Sequence, residues 1–492
     1  MKRIFIALIG VMLASCGSHA QNNTATQDKP ADFAKLLAMQ KQLAEELPPL
    51  ENVEYRTVSI PFITKADTVA IRKVHMFIPE AASRPMPVVY IPHYEMKDDA
   101  LELRSYLAEG WAVVSTTEFD NSYNGMLTDD DLVFNNAALF TIRHTPDFDS
   151  NRILLVGGSA GGYMTMMLNG LQMGICGSIA DAPIENLFFN FYQLFPAAGK
   201  FNKDGFLKVL LKHGKKLTTG TDEEKIEAFM SAMMEMPLPY IGLVAGMFEP
   251  ILNNFPDKED YARWEALSPV GLGECFSSPF IVHHCTSDLL VPVDQTTRKF
   301  TYERNGESMP EGFSTRLDPQ NPGKLGLALD DVLPKELTRV KRFPIIPVDS
   351  TEVVDYDPVK PFNINISDDG PVERYGSHNS GNPSGTVDMI PYLKDMASRS
   401  LAYTEMLRPG KVRLLLERYA GRSVQLPAHV GIDDNVYGSL SVYRQEVVEE
   451  MNRYVQHHSL QELEDVVRVI IVADSSLKDC WEDIRPRLGS GK

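Results

Sequence analysis

Hydrophobic and polar positions alternate over residues 53–60 and again over 67–78. Such a period of two predicts a pair of strands with one buried face each. From residue 87 the pattern changes. Short, nearly unbroken apolar runs appear at 87–91, 111–114, 153–156, 178–180 and 280–283. Between the early runs lie stretches with helical spacing, at about 97–109, at about 130–143 and from Ala160 onward. Strands that are apolar on both faces and alternate with helices predict an α/β fold, with a mostly parallel central sheet covered by helices on both sides. Residues 362–366 alternate once more and read as a late strand.

Four stretches depart from this rhythm. Residues 32–47 carry apolar positions at helical spacing and end at Pro48-Pro49, which stops a helix. Residues 185–265 are largely helical in pattern, with aromatics (Phe188, Phe189, Phe191, Tyr192, Phe195) at the start and an apolar run over 238–248. They predict a helical cap inserted into the sheet domain, whose aromatics either line an acyl pocket or pack as core. Residues 303–358 are rich in Pro, Gly and Asp and read as an irregular insertion. The last ninety residues read as two or three helices and one apolar run over 466–472.

Composition narrows the function classes. The 492 residues are 43% hydrophobic and 23% charged, an ordinary globular balance, with a formal net charge of −18. That charge argues against nucleic acid and against an electrostatic grip on anionic lipid. Five cysteines without a C-x-x-C pair indicate neither a disulfide scaffold nor a zinc site. At the N-terminus, Lys2 and Arg3 precede an apolar run over 4–14 that is too short to span a bilayer. The run ends in Leu13-Ala14-Ser15-Cys16, which resembles the lipobox of bacterial lipoproteins. The resemblance implies cleavage before Cys16, a lipid on its thiol, and a place in the bacterial cell envelope with membrane attachment through that lipid alone. Polar residues 17–31 then read as a tether. Cys176, Cys275, Cys285 and Cys480 read as free, buried thiols.

The chemistry centres on Gly157-Gly158-Ser159-Ala160-Gly161-Gly162, which follows a predicted strand and opens a predicted helix. A G-x-S-x-G sequence in that setting resembles the nucleophile elbow of α/β-hydrolases, a sharp turn that would hold the serine hydroxyl exposed at the sheet edge. The backbone N–H of Ala160, at the helix N-terminus, can then stabilise a developing oxyanion. A serine needs a base and the base an orienting acid, here in the chain order Ser, acid, His. Asp288 follows the run at 280–283 and is the candidate acid. Asp294 is the nearby alternative and reads as a cap of the following helix. Four histidines follow Asp288. His378, in a glycine-rich loop, is the candidate base and His429 the alternative, while His457 and His458 read as solvated helix residues. His283 and His284 precede the acid on its strand and read as core or supporting residues. Asp129-Asp130-Asp131 reads as a solvated helix N-terminus, so no metal is assigned there. No cofactor is called for.

Gly157-Gly158-Ser159-Ala160-Gly161-Gly162-Tyr163 resembles the serine motif of the prolyl oligopeptidase family. Ser268-Pro269, the run from Pro279 to His283, then Asp288, Val291-Pro292 and Gln295 are similar to that family's acid region. His378-Asn379-Ser380-Gly381-Asn382-Pro383-Ser384 is similar to its histidine loop. The resemblance covers about residues 85–400 and implies a Ser159–Asp288–His378 triad acting through an acyl-enzyme. It also implies an oxyanion donor in the loop after the third strand. That loop reads Pro92-His93-Tyr94-Glu95 where His-Gly-Gly is more usual. Tyr94 is the candidate donor and His93 the weaker one. Family peptidases usually carry a β-propeller before this domain, and residues 17–86 are too few for one. The family resemblance implies short peptides as substrates, while the missing propeller and the helical insertion favour small acyl or carbohydrate esters as the alternative. A non-catalytic envelope binding protein is the remaining reading. The expected organisation is a signal peptide over 1–15, tether and helix over 16–52, the hydrolase domain over 53–400 and a mostly helical extension over 401–492.

Overall fold

The computed structural model describes residues 50–98, 100–116, 129–190, scattered positions between 212 and 228, 256–285, 288, 291–299, 317–343, 356–367, 390–399, 401–422 and 436–489. The signal segment with Cys16, the helix expected over 32–47, and both candidate bases, His378 and His429, lie outside the described residues.

Nine strands form one sheet in the order β1-β2-β4-β3-β5-β6-β7-β9-β8. β1 (Val53–Ile63) and β2 (Val69–Pro79) are the antiparallel pair that alternation predicts, and β2 pairs antiparallel with β4 (Ala112–Thr116). From β4 onward every pairing is parallel, through β3 (Met86–Ile91), β5 (Phe148–Gly158), β6 (Ile175–Asp181), β7 (Phe280–Cys285) and β9 (Phe362–Ser367) to β8 (Thr338–Phe343). The apolar runs are buried on both faces, as parallel strands between helices must be. Side chains of one parity, such as Val88, Tyr90, Ile153 and Leu155, join the core that includes α2 (Asp129–Arg143) and α3 (Ser159–Leu171). Those of the other parity, such as Val89, Val113, Leu154 and Ile179, pack under α1 (Leu101–Ala108) and α5 (Ile390–Ser398); α4 (Tyr261–Ala266) lies on the first side. The strand order, the parallel core and the helices on both faces are those of the α/β-hydrolase fold.

One reading changes. The insertion at 303–358 is not irregular throughout, because it contains β8, which closes the edge of the sheet against β9. Its sequence, Thr-Arg-Val-Lys-Arg-Phe, is charged at three of its six positions and reads as polar, since an edge strand is only half covered. The apolar run at 466–472 is part of a helix, α8 (Leu460–Ala473), capped by Ser459 and Glu462. With α6 (Pro409–Tyr419), α7 (Leu440–His457) and α9 (Lys478–Ile484) it encloses a separate core that includes Leu415, Val447, Met451, Leu463, Trp481 and Ile484. In the cap stretch, Phe188 and Phe189 are buried, and Phe188 meets Tyr261 and Trp264 edge-on, so these two aromatics are core. Phe191, Tyr192, Phe195 and 238–248 lie outside the described residues. Cys176 and Cys275 are buried and free, and Cys480 is free and half-buried. Among the described residues no helix is long and apolar enough to cross a membrane.

Candidate active site

β5 runs into α3 with no linker, and Ser159 stands at the junction with φ +55°. The left-handed region costs a serine about 1–2 kcal/mol and persists only where its surroundings enforce it. The glycines of the motif are part of that enforcement. A Cβ on Gly157 would lie 2.5 Å from the Gly161 carbonyl oxygen and 2.9 Å from Thr165 Oγ1. The strand and the first turn of the helix therefore approach too closely at Gly157 for a side chain there. Ala160 follows in the first turn of α3, where backbone N–H groups have no helical acceptor.

The loop after β3 reaches the same turn. A Cβ on Gly161 would lie 3.0 Å from Tyr94 Cδ2 and 3.1 Å from the Pro92 carbonyl oxygen, so the Tyr94 ring rests on the first turn of α3. The residue before it, His93, has φ +78° and is 1% exposed. Its ring turns inward, in edge contact with Tyr94 (ring centroids 4.6 Å apart), and its Nδ1 lies 3.2 Å from Asp131 Oδ2. Tyr94, not His93, is thus the side chain of this loop that faces the elbow.

Asp288 follows β7 on the same sheet edge and is buried. One carboxylate oxygen accepts the Val291 N–H (2.8 Å), which closes a tight turn; the other lies 3.6 Å from His284 Nε2. His284 is itself buried, with Nε2 donating to the Val291 carbonyl (2.6 Å) and Nδ1 hydrogen-bonded to Thr296 Oγ1 (2.7 Å). His284 therefore packs against the turn that carries Asp288. Burial alone pushes the neighbouring His283 down to about 4, so it is a neutral core residue. Asp294 lies inside the short 3-10 turn Val293–Gln295, with Pro292 at the cap position, so it does not cap a helix. Beneath this turn Glu185 is fully buried, and burial holds its carboxyl protonated, well above the usual carboxylate range. Its backbone N–H and that of Asn186 both donate to Gln295 Oε1 at 2.9 Å, tying the loop after β6 to the acid loop.

The solvated reading of Asp129-Asp130-Asp131 is overturned. Asp129 and Asp131 are 2% and 0% exposed. Asp129 pairs with Arg263, and Asp131 receives Arg72 Nη1 at 2.9 Å and Asn135 Nδ2 at 3.2 Å besides His93. Burial would raise the Asp131 carboxyl, but the His93 hydrogen bond and the charges of His93 and Arg72 outweigh it and hold it at about 2. One signal of this cluster was in the sequence. Arg72 shares the inward face of β2 with Val74, Met76 and Ile78, and a charge on an apolar face needs a buried partner.

Parallel strands β3, β5 and β7 thus deliver Tyr94, Ser159 with Ala160, and Asp288 to one edge of the sheet. Among the described residues no group of three or more His, Cys, Asp or Glu could hold a metal ion.

No protein-family model matches the chain, nor does any curated protein sequence. Solved structures do align with it. Acylaminoacyl peptidase of Pyrococcus horikoshii is 17% identical over 54% of this chain and 36% of that one, with a TM-score of 0.33. Dipeptidyl peptidase 4 of Porphyromonas gingivalis is 15% identical over 69% of this chain and 35% of that one (TM-score 0.33). Esterase B of Lactobacillus rhamnosis is 16% identical over 52% and 74% (TM-score 0.29). The chain spans little more than a third of the length of either peptidase, and superpositions this loose carry no activity across.

Proposed function

We propose that the protein is a serine hydrolase in which Ser159 attacks a carbonyl carbon. The observation that carries this reading is the φ of +55° at Ser159 between β5 and α3, a strain that an idle serine in a glycine-rich turn has no reason to bear. In the proposed reaction the Ser159 hydroxyl gives its proton to His378 as Oγ bonds to the carbonyl carbon. Asp288 orients the imidazole. The Ala160 N–H and the Tyr94 hydroxyl hold the oxyanion. The tetrahedral intermediate collapses with loss of an amine or alcohol, which takes the proton from His378. Water then attacks the acyl-enzyme by the same steps, returning Ser159 and releasing the acid. The histidine loop's likeness to prolyl oligopeptidases favours short peptides as substrates, with small esters as the alternative. The lipobox supports anchoring at the bacterial envelope through Cys16.

A fluorophosphonate probe tests the reading on the mature protein. Labelling is expected and is lost in Ser159→Ala. Turnover falls by about three orders of magnitude or more in Ser159→Ala and His378→Ala. Near-normal turnover of His378→Ala together with an inactive His429→Ala would move the base to His429. Paired amide and ester substrates with the same acyl group choose between peptidase and esterase. Absence of labelling in well-folded protein would remove the hydrolase reading and leave a binding role. Anchoring is tested by labelling with a fatty-acid analogue, expected in wild type and absent in Cys16→Ser.

A further inference from the structure

Three side chains from three elements meet behind the oxyanion loop. Arg72 comes from β2, Asp131 from the first turn of α2 and His93 from the loop after β3. All are buried. The Arg72 guanidinium also stacks over the Phe134 ring, 4.1 Å from its centroid. Asn135 donates to both the side chain and the main chain of Asp131 and accepts from Tyr90 Oη at 2.7 Å, so β3 is tied to the same helix turn. An ionised carboxylate only accepts hydrogen bonds. His93 Nδ1 therefore carries a proton and donates it to Asp131. That bond fixes the ring inward, and with it the left-handed backbone at His93 that turns the next side chain, Tyr94, onto the nucleophile helix. One further hydrogen bond ties the loop from the other side, where the Met96 N–H donates to Ser115 Oγ at 3.0 Å.

We propose that Arg72, Asp131 and His93 are positioning residues that hold the loop bearing Tyr94 against the nucleophile turn, so that the oxyanion site is set before substrate arrives. A pre-set donor costs no reorganisation during the reaction, whereas a loose one does. The usual His-Gly-Gly form of this loop offers backbone N–H groups. A tyrosine hydroxyl lies at the end of a long side chain, so its aim depends on the backbone beneath it. The proposal rests on Tyr94 as an oxyanion donor, and its test separates the two ideas.

His93→Gly removes the ring without straining the left-handed backbone. His93→Asn also tolerates that conformation and presents an amide N–H near the place of Nδ1. Asp131→Asn removes the charge, and should it fail to fold, the His93 pair still decides. Hydrogen exchange of the peptide covering 92–96 is expected to quicken in His93→Gly and to stay near wild type in His93→Asn. With an activated ester, kcat of His93→Gly is expected to fall about 10–100-fold with KM unchanged within about twofold, and His93→Asn to recover most of it. In a cycle with Tyr94→Phe, the double variant His93→Gly/Tyr94→Phe should be no slower than Tyr94→Phe alone. Unchanged exchange in His93→Gly would overturn the proposal, as would equal impairment of the glycine and asparagine variants or effects that add to those of Tyr94→Phe. If the wild type neither labels nor turns over, the hydrolase reading fails, and the exchange data alone decide whether the cluster holds the loop.

Discussion

The two ends of α3, the helix that begins at Ser159, are each anchored by buried charge, but in different ways. At its start one carboxylate, Asp131, collects Arg72, His93 and Asn135 and is held ionised at about 2. Near its far end lies a wider network. Arg143 reaches Glu450, Gln172 and the Met173 carbonyl; Arg418 reaches Glu446, Glu450 and the Leu171 carbonyl; Lys411 reaches the Asn169 and Gln172 carbonyls; and Glu405 accepts the Gly174 N–H. Through it the C-terminal helices are stapled to the last turn of α3. Here burial prevails over pairing. It raises the Glu405 and Glu446 carboxyls and lowers Lys411 to about 8. A compact site with more donors than its one carboxylate needs favours a fixed charge and a fixed geometry. A spread network of several carboxylates shares its donors and tolerates protons. The first arrangement suits a loop that must not move, the second a large interface that must only stay closed.

The largest expected effect breaks the second cluster. Glu450→Ala leaves Arg143 and Arg418 buried without their shared carboxylate and should cost about 3–5 kcal/mol in urea unfolding. A loss below about 1 kcal/mol would mean that the helices dock by their apolar core alone.

Next come the glycines of the elbow. In Gly157→Ala the new methyl meets the Gly161 backbone oxygen at 2.5 Å, which cannot yield, so both fold and labelling should suffer. In Gly161→Ala the methyl meets the Tyr94 ring edge at 3.0 Å and the Pro92 carbonyl oxygen at 3.1 Å. The loop must give by a few tenths of an ångström, so kcat should fall several-fold while the urea midpoint barely moves. Equal losses of stability in the two variants would erase the distinction between a packed elbow and a set loop.

The smallest effect is pH dependence, and it has opposite signs at the two ends. The Asp131 carboxyl is depressed from 3.8 to about 2. Its stabilisation is complete above about pH 4 and is lost as pH falls toward 2. Glu405 and Glu446 are raised. The folded state therefore binds their protons more tightly, and their contribution is present at acid pH and lost as pH rises above the ordinary carboxylate range. Hydrogen exchange in α6 and α7 should thus quicken, after correction for intrinsic rates, between about pH 5 and 8, while that of 92–96 should not. The opposite order would show that the ionisations are assigned to the wrong cluster.

The legible part of the fold was that whose signal lies within a few neighbouring residues. The apolar runs at 87–91, 111–114, 153–156, 178–180 and 280–283 marked their strands because burial on both faces leaves no polar position. Gly157 to Gly161 marked the elbow because its steric demand is local. β8 was missed because an edge strand keeps its charges. The Asp129-Asp130-Asp131 stretch misled most. Three carboxylates at a helix start look solvated until Arg263 and Arg72 arrive from 134 and 59 residues away.

The sequence by itself determined the α/β order of elements, the serine at its turn and the loop in which an acid could stand, since each depends on local periodicity or local sterics. Tertiary structure alone decided which charges are buried, which way His93 and Tyr94 face, and what the C-terminal helices hold. Those outcomes depend on partners that are distant in the chain and meet only when the sheet has formed. A buried charge is defined by its neighbours in space, and the chain order does not record them.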